Sequence, residues 1–220
     1  MATIGEIRDV HDGQIRKALA GAVLLGPADA PEIETLTTGA SSELAAIPQV
    51  YKSMGRHPRD GAPTFTPTQE QNEVLTWGEL EASRIDAISK NLSIAWTCQD
   101  TRKSVLSAAT GVNLDNVKAD AITGEVQIVE PTDPNITFYR AFFLTVDGSG
   151  ADAYFIARYC PKFVITTVGE ESWNQDAALV TPFTGRALVD TELGYSVKRF
   201  YGGPGWKKNL DATGFELASP

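Results

Sequence analysis

Between positions 88 and 98 the side chains alternate. The even positions are Ile88, Lys90, Leu92, Ile94, Trp96 and Cys98, and the odd ones are Ser89, Asn91, Ser93, Ala95 and Thr97. One face is apolar apart from Lys90, and the other is small and polar. A period of two predicts a half-buried strand whose polar face meets water or a water-filled channel. An apolar run over 20–25 stops at Gly26-Pro27 and predicts an earlier strand. Residues 117–122 and 125–129, joined by Thr123-Gly124 and ended by Pro131 and Pro134, read as a hairpin. Residues 138–146 and 153–159 read as a second hairpin across Asp147-Gly148, a favoured tight-turn pair. Two further strands are expected over 163–168 and 183–189. Phe138, Phe142, Phe143, Tyr154 and Phe155 fall on both faces, so these strands are covered on both sides.

One short helix interrupts the strands. Asp100 or Thr101 supplies an N-cap, Val105, Leu106 and Ala109 share a side, and Gly111 is placed to end it in the left-handed conformation. Residues 26–48 are rich in Pro, Gly, Ser, Thr and Asp and read as a long surface loop. Residues 55–82 read as a second one, punctuated by Pro58, Gly61, Pro63, Pro67 and Gly78. Phe65, Val74, Leu75 and Trp77 lie inside it. Disordered segments are poor in aromatic residues, so this loop is expected to pack against something, with a neighbouring subunit as the candidate. Residues 1–19 carry a thin scatter of Ile4, Ile7, Ile15 and Leu19 and read as an arm or short helix. Residues 202–220 read as a C-terminal arm. The expectation is one domain over 1–220 with its core at 20–201. It is mainly β with one short helix, a β-sandwich or half-barrel with long loops and terminal arms.

Charge narrows the function. With 28 acidic and 19 basic side chains in 220 residues the net charge is -9. A protein that grips nucleic acid regardless of sequence needs a basic face to displace counterions, and here adjacent cations come only as scattered pairs, Arg102-Lys103 and Lys207-Lys208 along with Arg16-Lys17 and Lys198-Arg199. Cys98 and Cys160 sit in apolar runs and are expected as buried free thiols, in keeping with a reducing compartment. Met1 to Val10 lacks the apolar core of a signal peptide, and no stretch approaches the ~18 apolar residues of a membrane span. Synthesis and folding in the cytoplasm, with no membrane anchor, are therefore expected.

The chemistry of catalysis is missing from the pattern. His11 and His57 are far apart and show no metal-ligand spacing. There is no Gly-x-Ser-x-Gly elbow and no phosphate loop, and Pro204 interrupts Gly202, Gly203 and Gly205. Glu79 with Glu81 and the Glu170-Glu171 pair read as solvated loop acids. No enzyme activity, cofactor or metal is expected.

The order of several weak signals is informative. Tyr51-Lys52-Ser53-Met54-Gly55-Arg56 comes first, then Val74-Leu75-Thr76-Trp77-Gly78, then Arg84-Ile85-Asp86. The strand ending at Cys98 follows, and Gln99-Asp100-Thr101 leads into the helix. This order resembles the major tail (tail tube) proteins of long-tailed phages infecting actinobacteria, across roughly residues 18–200. The insert at 26–48 and the Gly55-Arg56-His57-Pro58-Arg59-Asp60-Gly61 passage depart from it.

The resemblance implies a structural virion protein, made in the host cytoplasm and located in the tail. Such subunits join edge to edge into hexameric rings that stack into a tube. Their partners are further copies of the chain and the tape measure, tail terminator and distal tail proteins, while DNA passes through the lumen without specific binding. On this reading Phe65, Val74, Leu75 and Trp77 belong to an inter-subunit loop. A wall past which DNA slides should be net acidic, which makes Asp86, Asp100, Asp120 and Glu125 the lumen-facing candidates, with Arg84 able to pair with Asp86. The alternatives are another virion component, such as a head-tail connector or capsid decoration protein, and a carbohydrate-binding β-sandwich using Trp77, Trp173 and Trp206.

Overall fold

Alternation of apolar and polar residues builds most of the molecule. The computed structural model describes residues 3–8, 10–133 and 136–218. Its strands are β1 (Ala20–Pro27), β2 (Thr37–Thr38), β3 (Glu43–Leu44), β4 (Lys52–Ser53), β5 (Thr64–Leu75), β6 (Ala82–Cys98), β7 (Phe138–Asp147), β8 (Tyr154–Val168), β9 (Thr181–Leu188) and β10 (Lys198–Gly202). The helices are α1 (Ile4–Arg8), α2 (Lys103–Thr110) and α3 (Pro204–Lys208), of which only α2 reaches about two turns. The main sheet is antiparallel throughout and runs β4-β1-β7-β8-β9-β6-β5, with β10 beside β8 and β2–β3 a separate ribbon. The chain is mainly β with one substantial helix, the class the pattern predicts.

Neighbouring residues of β7 go to opposite faces. Phe143 joins Val23, Ile94, Trp96, Phe163 and Phe183 in one apolar cluster, which also takes Val105 and Ala108 of α2. Phe142 joins Ile33, Leu36, Tyr51 and Tyr159 in a second cluster. The segment between β1 and β4 thus roofs the far side of β7 and β8, and Phe142, Phe143 and Tyr154 are covered as expected, whereas Phe138 at the start of β7 is 38% exposed. Trp96 is 2% exposed and stacks on Phe183 with ring centroids 5.3 Å apart. The segment after β4 closes one end of the curl: Met54 N–H donates to Val23 O, Gln99 N–H to Arg56 O and Thr97 N–H to Gly61 O. Cys98 and Cys160 are buried and unbridged, and burial pushes each thiol up to about 12.

Several expectations are corrected. Residues 55–82 are not one irregular loop, because 64–75 form β5 and β6 starts at Ala82, ahead of the predicted position 88. Pro67 suggested a loop, but β5 is an edge strand, where a missing N–H costs no ladder bond. The stretch 154–168 is one strand instead of two. On one side of β8, β10 pairs as far as Tyr159 and β9 begins at Lys162. Pro161 sits at that changeover, opposite a register shift between Tyr139 and Ala141.

The hairpin predicted over 117–129 keeps its turn and loses its strands. The Asp120 carboxylate accepts from the N–H groups of Ile122 (2.9 Å) and Thr123 (2.8 Å), which fixes the bend. Neither flank finds a sheet neighbour among the described residues, and Ile122, Val126 and Val129 stay exposed. Pro134, expected to end that hairpin, lies outside the described residues. At α2 the N-cap is Arg102 with no side-chain cap, and Asp100 pairs with Arg102 at 3.3 Å instead. The C-terminal prediction holds: Gly111 has φ 68°. The stretch 26–48 contributes buried Ala30, Ile33 and Leu36 along with β2 and β3, so it is more than a surface loop.

Candidate functional site

The β5–β6 pairing runs from Thr64 opposite Ala95 to Leu75 opposite Ala82. Strand β9 supports β6 only from Leu92 onward, where it faces Ala187. Beyond that point the two strands leave the body as a free ribbon about 30 Å long at the usual rise per residue. An isolated two-stranded ribbon is marginal by itself. Polar contacts within it help: Ser89 Oγ donates to Glu70 at 3.0 Å, the Arg84 guanidinium meets Asp86 at 2.9 Å, and Ser83 Oγ donates to Glu79 at 2.8 Å. Thr76 and Ser83 share a further hydrogen bond across the tip. Bulges at Glu70/Gln71 and Val74/Leu75 add local twist.

The register gives the ribbon two different faces. Pro67, Gln69, Gln71, Glu73 and Leu75 share one with Leu92, Lys90, Ala87, Ile85 and Ala82. This face continues the core side of Phe65 and Ile94, and it leaves Ile85 and Leu75 exposed at 56% and 69%. The other face carries Thr66, Thr68, Glu70 and Asn72 with Ser93, Asn91, Ser89 and Asp86. It runs on into the body, where Ser93 lies opposite Arg186 and Ala95 opposite Thr184. Arg186 also hydrogen-bonds Asn91. The result is a broad sheet surface of hydroxyl and amide side chains. The ribbon tip is different again: Trp77 and Leu80 are fully exposed there.

The four loop candidates therefore divide. Phe65 is half-buried and belongs to the protein's own core, with Phe143 on its edge and the Arg158 guanidinium 3.8 Å above its ring. Val74, Leu75 and Trp77 lie near the exposed tip. The four acidic candidates are not gathered into one patch. Asp86 is on the polar ribbon face, paired with Arg84 as expected, whereas Asp100 lies past the opposite end of β6. Asp120 and Glu125 occupy the exposed turn after α2, where Thr123 and Ile122 N–H groups hold the Asp120 carboxyl below its ordinary range. Sequence reasoning read the polar face of β6 that holds Asn91 but missed its continuation onto Thr66, Thr68 and Arg186. Thr64, Thr66 and Thr68 at alternate positions were the available signal, a β-branched run of period two.

A groove of about 700 Å³ lies beside α2, with Leu25, Met54, Ala108 and Phe138 among its lining and Lys52, Arg102 and Lys103 on its rim. Among the described residues no group of three or more His, Cys, Asp or Glu side chains is arranged to hold a metal ion. No described helix is long and apolar enough to cross a membrane. Trp206 packs on Tyr201 at 5.5 Å, while Trp173 is exposed.

No family model matches the chain, and no curated protein matches it. Among solved structures, a chain of the "Virion of native gene transfer agent (GTA) particle" aligns over 70% of this chain and 92% of its own length, with 8% identity and a TM-score of 0.38. The likeness is partial, and no functional step rests on it.

Proposed function

We propose that this protein is a structural subunit of a phage tail tube, which polymerises into rings that stack around a channel for DNA. The observation that carries the reading is a pair of open edges at the two ends of the main strand order. Among the described residues, strand β5 pairs with β6 alone, and β1 is covered by β4 only at Leu24 and Leu25. An unpaired edge is a template for another chain. Two different edges on one subunit favour head-to-tail association, and closure of such a chain into a ring removes the edges.

In that ring the polar surface around Thr66, Ser93, Asn91 and Thr184 faces the lumen. Hydroxyl and amide groups there wet the wall without offering phosphates a run of cations. Asp86 lies on this surface and opposes adhesion of DNA, with Arg84 neutralised by it. Asp100, Asp120 and Glu125 line the channel only if the loops beyond the strand ends also turn inward. Val74, Leu75 and Trp77 contact an adjacent copy, and Phe65 anchors the ribbon that carries them. Tape measure, terminator and distal tail proteins complete the tail. The function is mechanical, and the chain acts without catalysis or cofactor.

Hydrogen exchange tests the edge pairing. The outward amides of β5 should exchange fast in the monomer and slowly in the assembled protein. Fast exchange in both states would remove the proposed ring contact.

A further inference from the structure

The ribbon tip and the α2 groove have opposite chemistry. The tip places Trp77 and Leu80 in full solvent. Around them, positions 73–86 hold Glu73, Glu79, Glu81 and Asp86 against the single cation Arg84, a net charge of -3 from four acids and one base. The groove has an apolar lining that includes Leu25, Met54, Ala108 and Phe138, and Lys52, Arg102 and Lys103 stand on its rim with Asp115. An apolar anchor ringed by acids matches an apolar slot ringed by bases.

The two features also lie at opposite ends of one strand. The tip immediately precedes Ala82, where β6 begins, and α2 follows Cys98, where it ends. At the usual strand rise β6 spans about 55 Å. A tip cannot reach the groove of its own subunit. A contact between unlike ends is head-to-tail, and where its rotation does not close into a ring it repeats as a stack.

Resting on the tail-tube reading, we infer that the β5–β6 tip of one copy inserts Trp77 and Leu80 into the α2 groove of a second copy, with Glu79 and Glu81 meeting Lys52 and Lys103. The groove is then the receptor for ring-on-ring stacking, separate from the sheet edges that close each ring. Trp77 supplies the buried area and the ion pairs at the rim set the register.

Cross-linking between two singly substituted full-length chains tests this. Leu80→Cys is made in one and Lys103→Cys in the other, and the native thiols at Cys98 and Cys160 are buried and poorly reactive. A short bis-maleimide should join the two chains only in the mixture. Reversing Lys52 and Lys103 to Glu should weaken stacking about tenfold, and Glu79→Lys with Glu81→Lys should restore it in the swapped background. Tubes that form without this cross-link, or with tip-to-tip links in its place, overturn the inference and leave the tail-tube reading intact. Absence of any assembly at high concentration overturns both.

Discussion

The ring of Phe65 stands edge-on to the ring of Phe143, with centroids 5.4 Å apart and planes at 83°. Phe65 is the second residue of β5, so the projecting ribbon is rooted in the same apolar cluster that holds Trp96 and Phe163. The exposed part of the hairpin and the folded body are thus one mechanical unit.

This contact makes Phe65→Ala costly. Loss of a half-buried ring and its edge-to-face partner should destabilise the monomer by about 2–3 kcal/mol. Urea denaturation should show a lower midpoint with an unchanged slope. A near-neutral result would mean that the ribbon folds independently of the core.

A glycine on β9 makes the opposite kind of test. A Cβ at Gly185 would overlap the ring of Phe163 and approach Val164 O at 2.7 Å. Gly185→Ala should therefore destabilise by about 1–3 kcal/mol through overpacking, although alanine is the better strand residue by propensity. Thermal unfolding with no loss would show that the ring has room to move.

Glu32 links the roof to β10 and gives a pH dependence. Its carboxylate accepts from Tyr195 Oη at 2.6 Å and Lys198 Nζ at 3.2 Å. The Tyr195 bond is the main cause that holds its pKa below the ordinary value of 4.5. A carboxyl depressed on folding stabilises fully above its unfolded pKa, and the stabilisation is lost as pH falls through the folded one. The site is solvent-accessible, so Glu32→Gln should cost only about 1 kcal/mol at neutral pH. That difference should shrink steadily below about pH 4.5. A gap between the two proteins that stays constant from neutral pH into strong acid would contradict the linkage.

The ribbon tip should be dispensable for folding and required for assembly. Replacing 76–81 with a two-residue Asn-Gly turn removes Trp77 and Leu80 and leaves β5 and Phe65 in place. Monomer stability should stay within about 0.5 kcal/mol, because no buried contact is lost. Sedimentation at high concentration should show loss of the larger assemblies. Unchanged assembly would mean that the tip touches no neighbour. A longer deletion reaching Phe65 would confound the two effects.

Legibility followed local physics. The face of β6 that holds Ile94, Trp96 and Cys98 could be read because period two depends only on neighbours in sequence, and Gly111 because a left-handed residue is a local demand. β5 was hidden because its residues are nearly all exposed on both faces, so no apolar alternation marks it. Its existence depends on register with β6, a non-local fact. The break expected between 159 and 163 erred for the same reason: only the exchange of β10 for β9 along β8 makes Pro161 acceptable within one strand. Residues 117–129 erred the other way, since turn chemistry at Asp120 is local but strands need a partner. The candidate site was half legible. Trp77 showed as an aromatic residue within a polar stretch and Asn91 as part of the polar face of β6, while the extension of that face onto Thr66 and Arg186 emerged only once three strands were aligned.

The most direct measurement is negative-stain electron microscopy of the purified full-length chain, taken from dilute to concentrated solution. The tail-tube account predicts rings with a central stain-filled hole, passing to hollow tubes of stacked rings as concentration rises. Particles that remain compact and single at every concentration, or closed pairs without a hole, would contradict it.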